Sequence, residues 1–291
     1  MTVAEPIPAG GKSQSDLEPG LYVTATPIGH ARDITLRALD ILKSCDVIAA
    51  EDTRVTAKLL AIYGISKPLH SYNDHNAQRE RPKLLARLRE GARVALVSDA
   101  GTPLISDPGF KLVREATGEG VAVHAIPGAC AALAALSVAG LPTDRFLFAG
   151  FPPAKSGERR TFLTSLKSVV ATLLFYESAQ RLAETLADMA GVFGARPAVV
   201  ARELTKLHEE IRRGTLDELA AAFPRPPKGE ITIVVGPPLK EAPDYAQADR
   251  LLDTALEFMP VRAAADLVAE ALKMPRRETY ERALSRKVLM T

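Results

Sequence analysis

Ser98-Asp99-Ala100-Gly101-Thr102-Pro103-Leu104-Ile105-Ser106-Asp107-Pro108-Gly109 follows without a break on the apolar run at residues 93–97. A short apolar run closed by glycine and proline reads as a buried strand emptying into a loop. Gly101 and Gly109 let a ligand approach the backbone, while Asp99, Thr102, Ser106 and Asp107 offer carboxylates and hydroxyls to something polar. Twelve residues exceed what a turn needs. Its last third has a second reading, in which Asp107-Pro108-Gly109 caps a helix beginning near Phe110. Carboxylates repel phosphate, so the loop suits an amino acid, a ribose or a sulfonium group, which points to S-adenosylmethionine.

Outward from this loop the same grammar repeats. Apolar runs at 21–25, 47–50, 94–97, 121–126 and 146–149 read as strands, and amphipathic stretches at 34–43, 53–62, 78–89, 110–118 and 130–138 read as helices. Such alternation predicts an α/β fold with a parallel sheet. Strands are also read at 173–176, 198–202, 210–213 and 231–235, with helices at 179–189 and 216–223. Fewer helices between strands predict a mixed second sheet. The predicted organisation is a disordered leader at 1–19, an N-terminal α/β domain at 20–150, a second α/β domain at 151–240 and a helical C-terminal region at 241–291. Phe151-Pro152-Pro153-Ala154-Lys155-Ser156-Gly157 reads as the linker between the domains, and residues 236–243 as a proline-rich hinge.

Two further loops leave strands and enter helices. Thr24-Ala25-Thr26-Pro27-Ile28-Gly29-His30 has neither the G-x-G-x-x-G of a dinucleotide fold nor a Walker A pattern, so hydride transfer and nucleotide hydrolysis lose their usual support. Ile126-Pro127-Gly128-Ala129-Cys130-Ala131-Ala132 offers only small side chains, which fit either a flat ring against the backbone or a close helix–sheet contact.

Composition bounds the rest. The chain has 291 residues, 47% apolar and 25% charged, an ordinary globular balance. Its net charge is +2 from 37 basic and 35 acidic residues, so any nucleic-acid binding must be local. Cys45 and Cys130 lack the spacing of a zinc or redox pair and read as reduced thiols; no metal is expected. No stretch approaches the ~20 apolar residues that span a bilayer, and a cytoplasmic protein is expected.

Taken in order, the three loops, with Ala49-Ala50-Glu51-Asp52-Thr53-Arg54 between the first two, resemble the ribosomal small-subunit RNA 2′-O-methyltransferase I family of the tetrapyrrole-methylase superfamily. The resemblance continues through Ala139-Gly140-Leu141-Pro142-Thr143-Asp144-Arg145-Phe146, Phe175-Tyr176-Glu177-Ser178, Ala201-Arg202-Glu203-Leu204-Thr205-Lys206 and Lys228-Gly229-Glu230. It implies a two-domain, class III methyltransferase fold holding S-adenosylmethionine in the cleft between domains, and a homodimer. The implied product is a 2′-O-methylcytidine in the decoding region of 16S ribosomal RNA. The implied cofactor contacts are Pro27, Asp99, Gly101, Thr102, Ala129, Cys130, Ala131, Tyr176 and Leu204. His30 stands where the family commonly has asparagine, and Ala129 where it commonly has proline.

Methyl transfer to a ribose hydroxyl is an in-line displacement that requires alignment and removal of a proton, with no covalent nucleophile. Glu51, Asp52 and His75 are the candidate bases, and the loop Tyr72-Asn73-Asp74-His75-Asn76 also reads as a plain turn or cap. Arg54 either pairs with the adjacent acids or holds an RNA phosphate. Lys155, Arg159 and Arg160 form a basic cluster suited to RNA, or a solvated helix start. After Leu272, Lys273, Arg276, Arg277, Arg282, Arg286 and Lys287 face only Glu278 and Glu281. Helices at 263–272 and 276–284, joined through Met274-Pro275, then resemble a helix-turn-helix with Arg276 and Arg277 on RNA and Tyr280 placed to stack on a base; a helical cap is the other reading. Two rival functions share these features: a methyltransferase for a precorrin-type tetrapyrrole, and a non-catalytic RNA-binding assembly factor. The partner is 16S ribosomal RNA or the small subunit in the leading reading.

Overall fold

The computed structural model describes residues 17–106, 108–239 and 244–289. Most of the expected leader, Asp107 and part of the hinge lie outside the described residues. The described residues fall into two compact units, divided after Pro238.

The larger unit opens with β1 (Gly20–Thr24), α1 (Leu36–Ser44), β2 (Val47–Ala50), α2 (Thr53–Ile62), β3 (Leu69–Ser71), α3 (Ala77–Arg89), β4 (Arg93–Val97), α4 (Phe110–Gly118), β5 (Val123–Ile126) and α5 (Ala131–Ala139). Its five strands lie in the order β3-β2-β4-β1-β5, and every pairing is parallel. Tyr22, Ile48 and Ala95 pack with α1 on one face, while Leu21, Val47 and Leu96 pack with α3 and α4 on the other. Burial on both faces is why β2 and β4 read as unbroken apolar runs. Because the strands run one way, the loops after β1, β2, β4 and β5 all emerge at one sheet edge.

A second sheet follows: β6 (Phe146–Phe148), α6 (Ser156–Leu166), β7 (Thr172–Ser178), α7 (Leu182–Phe193), β8 (Pro197–Arg202), β9 (Glu210–Thr215), α8 (Leu216–Ala222) and β10 (Glu230–Val235). Its order is β6-β7-β10-β8-β9; β6 pairs parallel to β7 and the remaining pairs are antiparallel, so the sheet is mixed as expected. The change of sheet falls ahead of β6, and the stretch read as a linker contains the first two residues of α6. One face of this sheet packs against α6, α7 and α8, the other against α5 through Ala132, Ala135, Leu136 and Ala139.

The smaller unit contains α9 (Tyr245–Phe258), α10 (Val261–Ala271) and α11 (Arg276–Leu289). Ala248, Leu252, Ala265, Val268, Met274 and Ala283 form its core. Lys273 turns the chain between α10 and α11 at φ +51°. No helix among the described residues is long and apolar enough to cross a membrane.

Candidate active site

Close backbone contacts draw the three loops together. The first and second loops exchange two hydrogen bonds, Thr26 N–H to Gly101 O at 2.9 Å and Gly101 N–H to Thr26 O at 3.1 Å. Gly101 sits at φ +81°, and a Cβ there would lie 3.3 Å from Ile28 Cγ2. Thr102 Oγ1 donates to Ala129 O at 3.0 Å, tying the second loop to the third. Gly128 passes so near β1's end that a Cβ would meet Ala25 Cβ at 2.8 Å. These contacts explain why the loops are rich in small residues.

The second sheet closes over this edge. Ala132 N–H donates to the Tyr176 hydroxyl at 3.2 Å, and His30 N–H donates to Thr205 Oγ1 at 3.0 Å. Gly29 is packed so tightly that a Cβ would lie 2.5 Å from Lys206 Cγ and 3.0 Å from Leu204 O. Between the sheets lies a cleft of about 580 Å³, within the roughly 300–1,000 Å³ of small-molecule sites. Gly101, Thr102, Cys130, Ala131, Tyr176 and Leu204 line it. The other three cofactor candidates stand next to it: Pro27 lies between Thr26 and the lining Ile28, Ala129 accepts from Thr102, and Asp99 lies before the lining Ala100.

Several lining residues carry no local signal in the sequence. Phe151 is 54% exposed at the cleft, with its ring 5.6 Å from that of Tyr176, and Phe148 meets Tyr176 from another side at 4.8 Å. Glu203 and Thr205 hold left-handed φ of +51° and +65°, as do Leu104 and Ser106 at +73° and +70° in the second loop. Such backbone is maintained only where its surroundings over-determine it. Around Glu203 they do: its carboxylate accepts from Glu230 N–H and Lys206 Nζ, at 3.0 and 2.9 Å, and these hold it below the usual carboxylate range. Gly229 leaves the room, since a Cβ there would overlap the Glu203 carboxyl at 2.4 Å.

The three candidate bases part company here. Glu51, immediately after β2, lines the cleft. Burial pushes its carboxyl above the ordinary range, and the carboxylates of Asp99, Asp74 and Asp52 push the same way. Asp99 N–H donates to it at 3.4 Å, and the Asp99 carboxylate in turn accepts from Asp52 N–H at 2.9 Å. Asp52 caps α2 through Arg54 N–H at 2.8 Å and binds the Arg54 guanidinium at 2.6 Å, contacts that bring its pKa down to about 2. A carboxylate so stabilised is a poor proton acceptor. His75 is exposed in the turn before α3 and is not among the cleft-lining residues. That turn is closed by Asn73 N–H to Asn76 Oδ1 at 2.9 Å and Asn76 N–H to Asn73 Oδ1 at 3.2 Å.

The basic candidates divide similarly. Arg54 is 87% exposed and pairs with Asp52. Lys155 pairs with Glu158 at 3.1 Å, and Arg160 is exposed with no ion pair among the described residues. Arg159 corrects the expectation of an RNA contact. It is 1% exposed, binds Asp188 at 2.7 Å and Ala154 O at 3.0 Å, and so holds the start of α6 onto α7. In the smaller unit, Arg282 binds Asp249 at 3.0 and 2.7 Å and Arg286 binds Asp253, so part of the tail's basic excess is neutralised by α9. Arg276 and Arg277 are exposed, Arg277 pairing with Glu281 at 3.0 Å. Among the described residues no group of three or more His, Cys, Asp or Glu side chains is placed to hold a metal ion.

Residues 20–220 match the family of Tetrapyrrole (Corrin/Porphyrin) Methylases, and residues 242–287 match the RsmI C-terminal HTH domain. The chain is 50% identical to the Ribosomal RNA small subunit methyltransferase I of Mesorhizobium japonicum, covering 93% of each chain. It is 53% identical to that of Erythrobacter litoralis, covering 94% of this chain and 98% of the relative. Among solved structures, the fold is shared with a Thermus thermophilus uroporphyrin-III C-methyltransferase complexed with S-adenosyl homocysteine. That likeness has a TM-score of 0.52 at 20% identity, covering 74% of this chain and 96% of the other.

Proposed function

This chain belongs to the ribosomal RNA small subunit methyltransferase I family of tetrapyrrole methylases, and we propose that it transfers a methyl group from S-adenosylmethionine to the 2′-hydroxyl of a cytidine ribose in the decoding region of 16S ribosomal RNA. The observation that carries this reading is the glycine-tight cleft with Glu51 in its wall. When bound, S-adenosylmethionine supplies an electrophilic methyl on a sulfonium. Gly101, Thr102, Cys130 and Ala131 present backbone to it from one side, Tyr176 and Leu204 apolar surface from the other. Asp99, Pro27 and Ala129 shape the same loops from behind.

Glu51 would accept the proton of the ribose hydroxyl as the oxygen–methyl bond forms and the methyl–sulfur bond breaks, with S-adenosylhomocysteine as the leaving group. A carboxyl raised by burial is a better match to neutral pH than the ionised Asp52. Arg54, Lys155, Arg160, Arg276 and Arg277 supply phosphate contacts, a local answer to a net charge of only +2. Exposed Leu133 and Val138 on α5, with Phe146 and Leu147 on β6, offer apolar surface for a homodimer. A ribosomal substrate places the protein in the cytoplasm.

The test is incubation with labelled S-adenosylmethionine and small subunits lacking the methyl group, followed by mapping of the label. Label on one cytidine ribose is expected. Label on a tetrapyrrole alone, or tight RNA binding without transfer, would overturn the proposal in favour of one of its two rivals.

A further inference from the structure

A second pocket, of about 480 Å³, shares no lining residue with the donor cleft. Its link to Glu51 is the loop after β3. Asn73 Nδ2 donates to Glu51 O at 3.4 Å, and the next residue, Asp74, lines this pocket. Asp74 in the pocket wall is thus one residue from a hydrogen bond to the Glu51 backbone, and its carboxylate acts on that of Glu51.

The pocket's chemistry is that of a nucleotide site. Phe110, the first residue of α4, lines it and is 63% exposed, so its ring is open to a ligand. Arg114, one turn on, stacks its guanidinium over one face of that ring, 5.6 Å from the centroid, so the platform a base can use is the opposite face. Gly109 fixes that platform: at φ +136°, with Leu96 Cδ2 2.9 Å from where a Cβ would be, the backbone entering α4 has little freedom. Lys111 lines the same pocket and has no ion pair among the described residues. By contrast Arg81, also in the wall, is spent on Glu115 at 2.9 Å. Acceptors face these cations. Asp74 is one, and Gln78, exposed in the same wall, carries another in its side-chain amide.

An exposed aromatic face, an ammonium without an ion pair among the described residues and acceptors for an exocyclic amine are what a single-stranded nucleotide requires. We propose that this pocket binds a nucleotide flanking the methylated cytidine, its base stacked on Phe110, its phosphate at Lys111 and its edge read by Asp74 and Gln78. The inference rests on the RNA-methylation reading above and adds a subsite to it.

The full-length protein is assayed with small subunits lacking the methyl group, comparing wild type, Phe110→Ala, Phe110→Tyr and Lys111→Ala. Loss of one stacked base should raise KM for the subunit about tenfold in Phe110→Ala. Its kcat and its calorimetric affinity for S-adenosylhomocysteine should stay at the wild-type values. Phe110→Tyr should recover the wild-type KM, and Lys111→Ala should lower the salt slope of RNA binding by about one. If Phe110→Ala methylates with wild-type KM, or if Tyr fails to rescue it, the subsite is refuted while the activity stands. If wild type labels no RNA, the activity reading fails and takes the subsite with it.

Discussion

Gly101→Ala confronts the site with a single methyl group, and two routes of response can be costed. Retaining φ +81° with a side chain attached costs about 1–2 kcal/mol. The new Cβ would also press on Ile28 Cγ2 at 3.3 Å, inside the ordinary carbon–carbon contact of roughly 3.5–4.0 Å. Rotating out of the left-handed region instead breaks the two hydrogen bonds with Thr26, at about 0.5–1.5 kcal/mol each. Either way the variant loses about 1–3 kcal/mol. Gly64→Ala is the internal control, with φ +63° but nothing within 4 Å of the added carbon. Urea unfolding should therefore show a loss of about 1–2 kcal/mol in Gly64→Ala and at least as much in Gly101→Ala. Calorimetry with S-adenosylhomocysteine should separate them. Gly64→Ala binds as wild type, whereas Gly101→Ala, having moved the cleft-lining Ile28, binds at least about fivefold more weakly, a difference of roughly 1 kcal/mol. Wild-type affinity in a folded Gly101→Ala protein would refute the placement of the donor against this loop.

Glu51→Gln should lower the rate of methyl transfer by about 10²–10⁴-fold with donor affinity retained, measured by single turnover. In wild type the acid limb of the rate profile should fall at a pH above the ordinary carboxylate value, because the folded-state pKa is raised. The same shift fixes the sign for stability: the unfolded chain releases this proton first, so the group contributes less stability as pH rises through that window, and Glu51→Gln should gain stability at neutral pH but not in acid. Arg159→Ala should destabilise the larger unit by about 1.5–3 kcal/mol in urea, since Asp188 keeps only its Ser156 hydroxyl partner and a buried gap is left beside it. At a temperature where it remains folded, the variant should bind RNA as wild type does; weaker binding would return Arg159 to the RNA surface.

What could be read from the sequence depended on how each element is buried. The strands β1, β2 and β4 show themselves because both faces of a parallel sheet are covered. Strand β3 does not, because Leu-His-Ser is half-buried at an edge and has no apolar run. Helix α6 is hidden for a more specific reason. The residues it buries are Arg159 and Leu163, so its inward face alternates a charge with a leucine and resembles a solvated stretch. The glycines and prolines of the three loops announced a ligand edge, yet the parts of the cleft made by the second sheet arrive from far along the chain. Phe151 belongs to a segment with linker composition, and nothing local distinguishes its ring from a buried one. His75 is the converse case, exposed in a turn and not among the cleft-lining residues. Its chemistry suits a base, but chemistry without position cannot separate a catalyst from a turn.

The seam between Gly29-His30 and Leu204-Thr205-Lys206 also bears on how this chain can change over time. His30 and Thr205 touch although they are 175 positions apart, and no spare volume lies beside Gly29. A mutation adding bulk at position 29 would meet Thr205 Oγ1 at 2.7 Å and the Leu204 backbone oxygen at 3.0 Å as well as Lys206, so no single shortening elsewhere makes room for it. Homologous chains should therefore keep glycine at this position even where residue 206 differs.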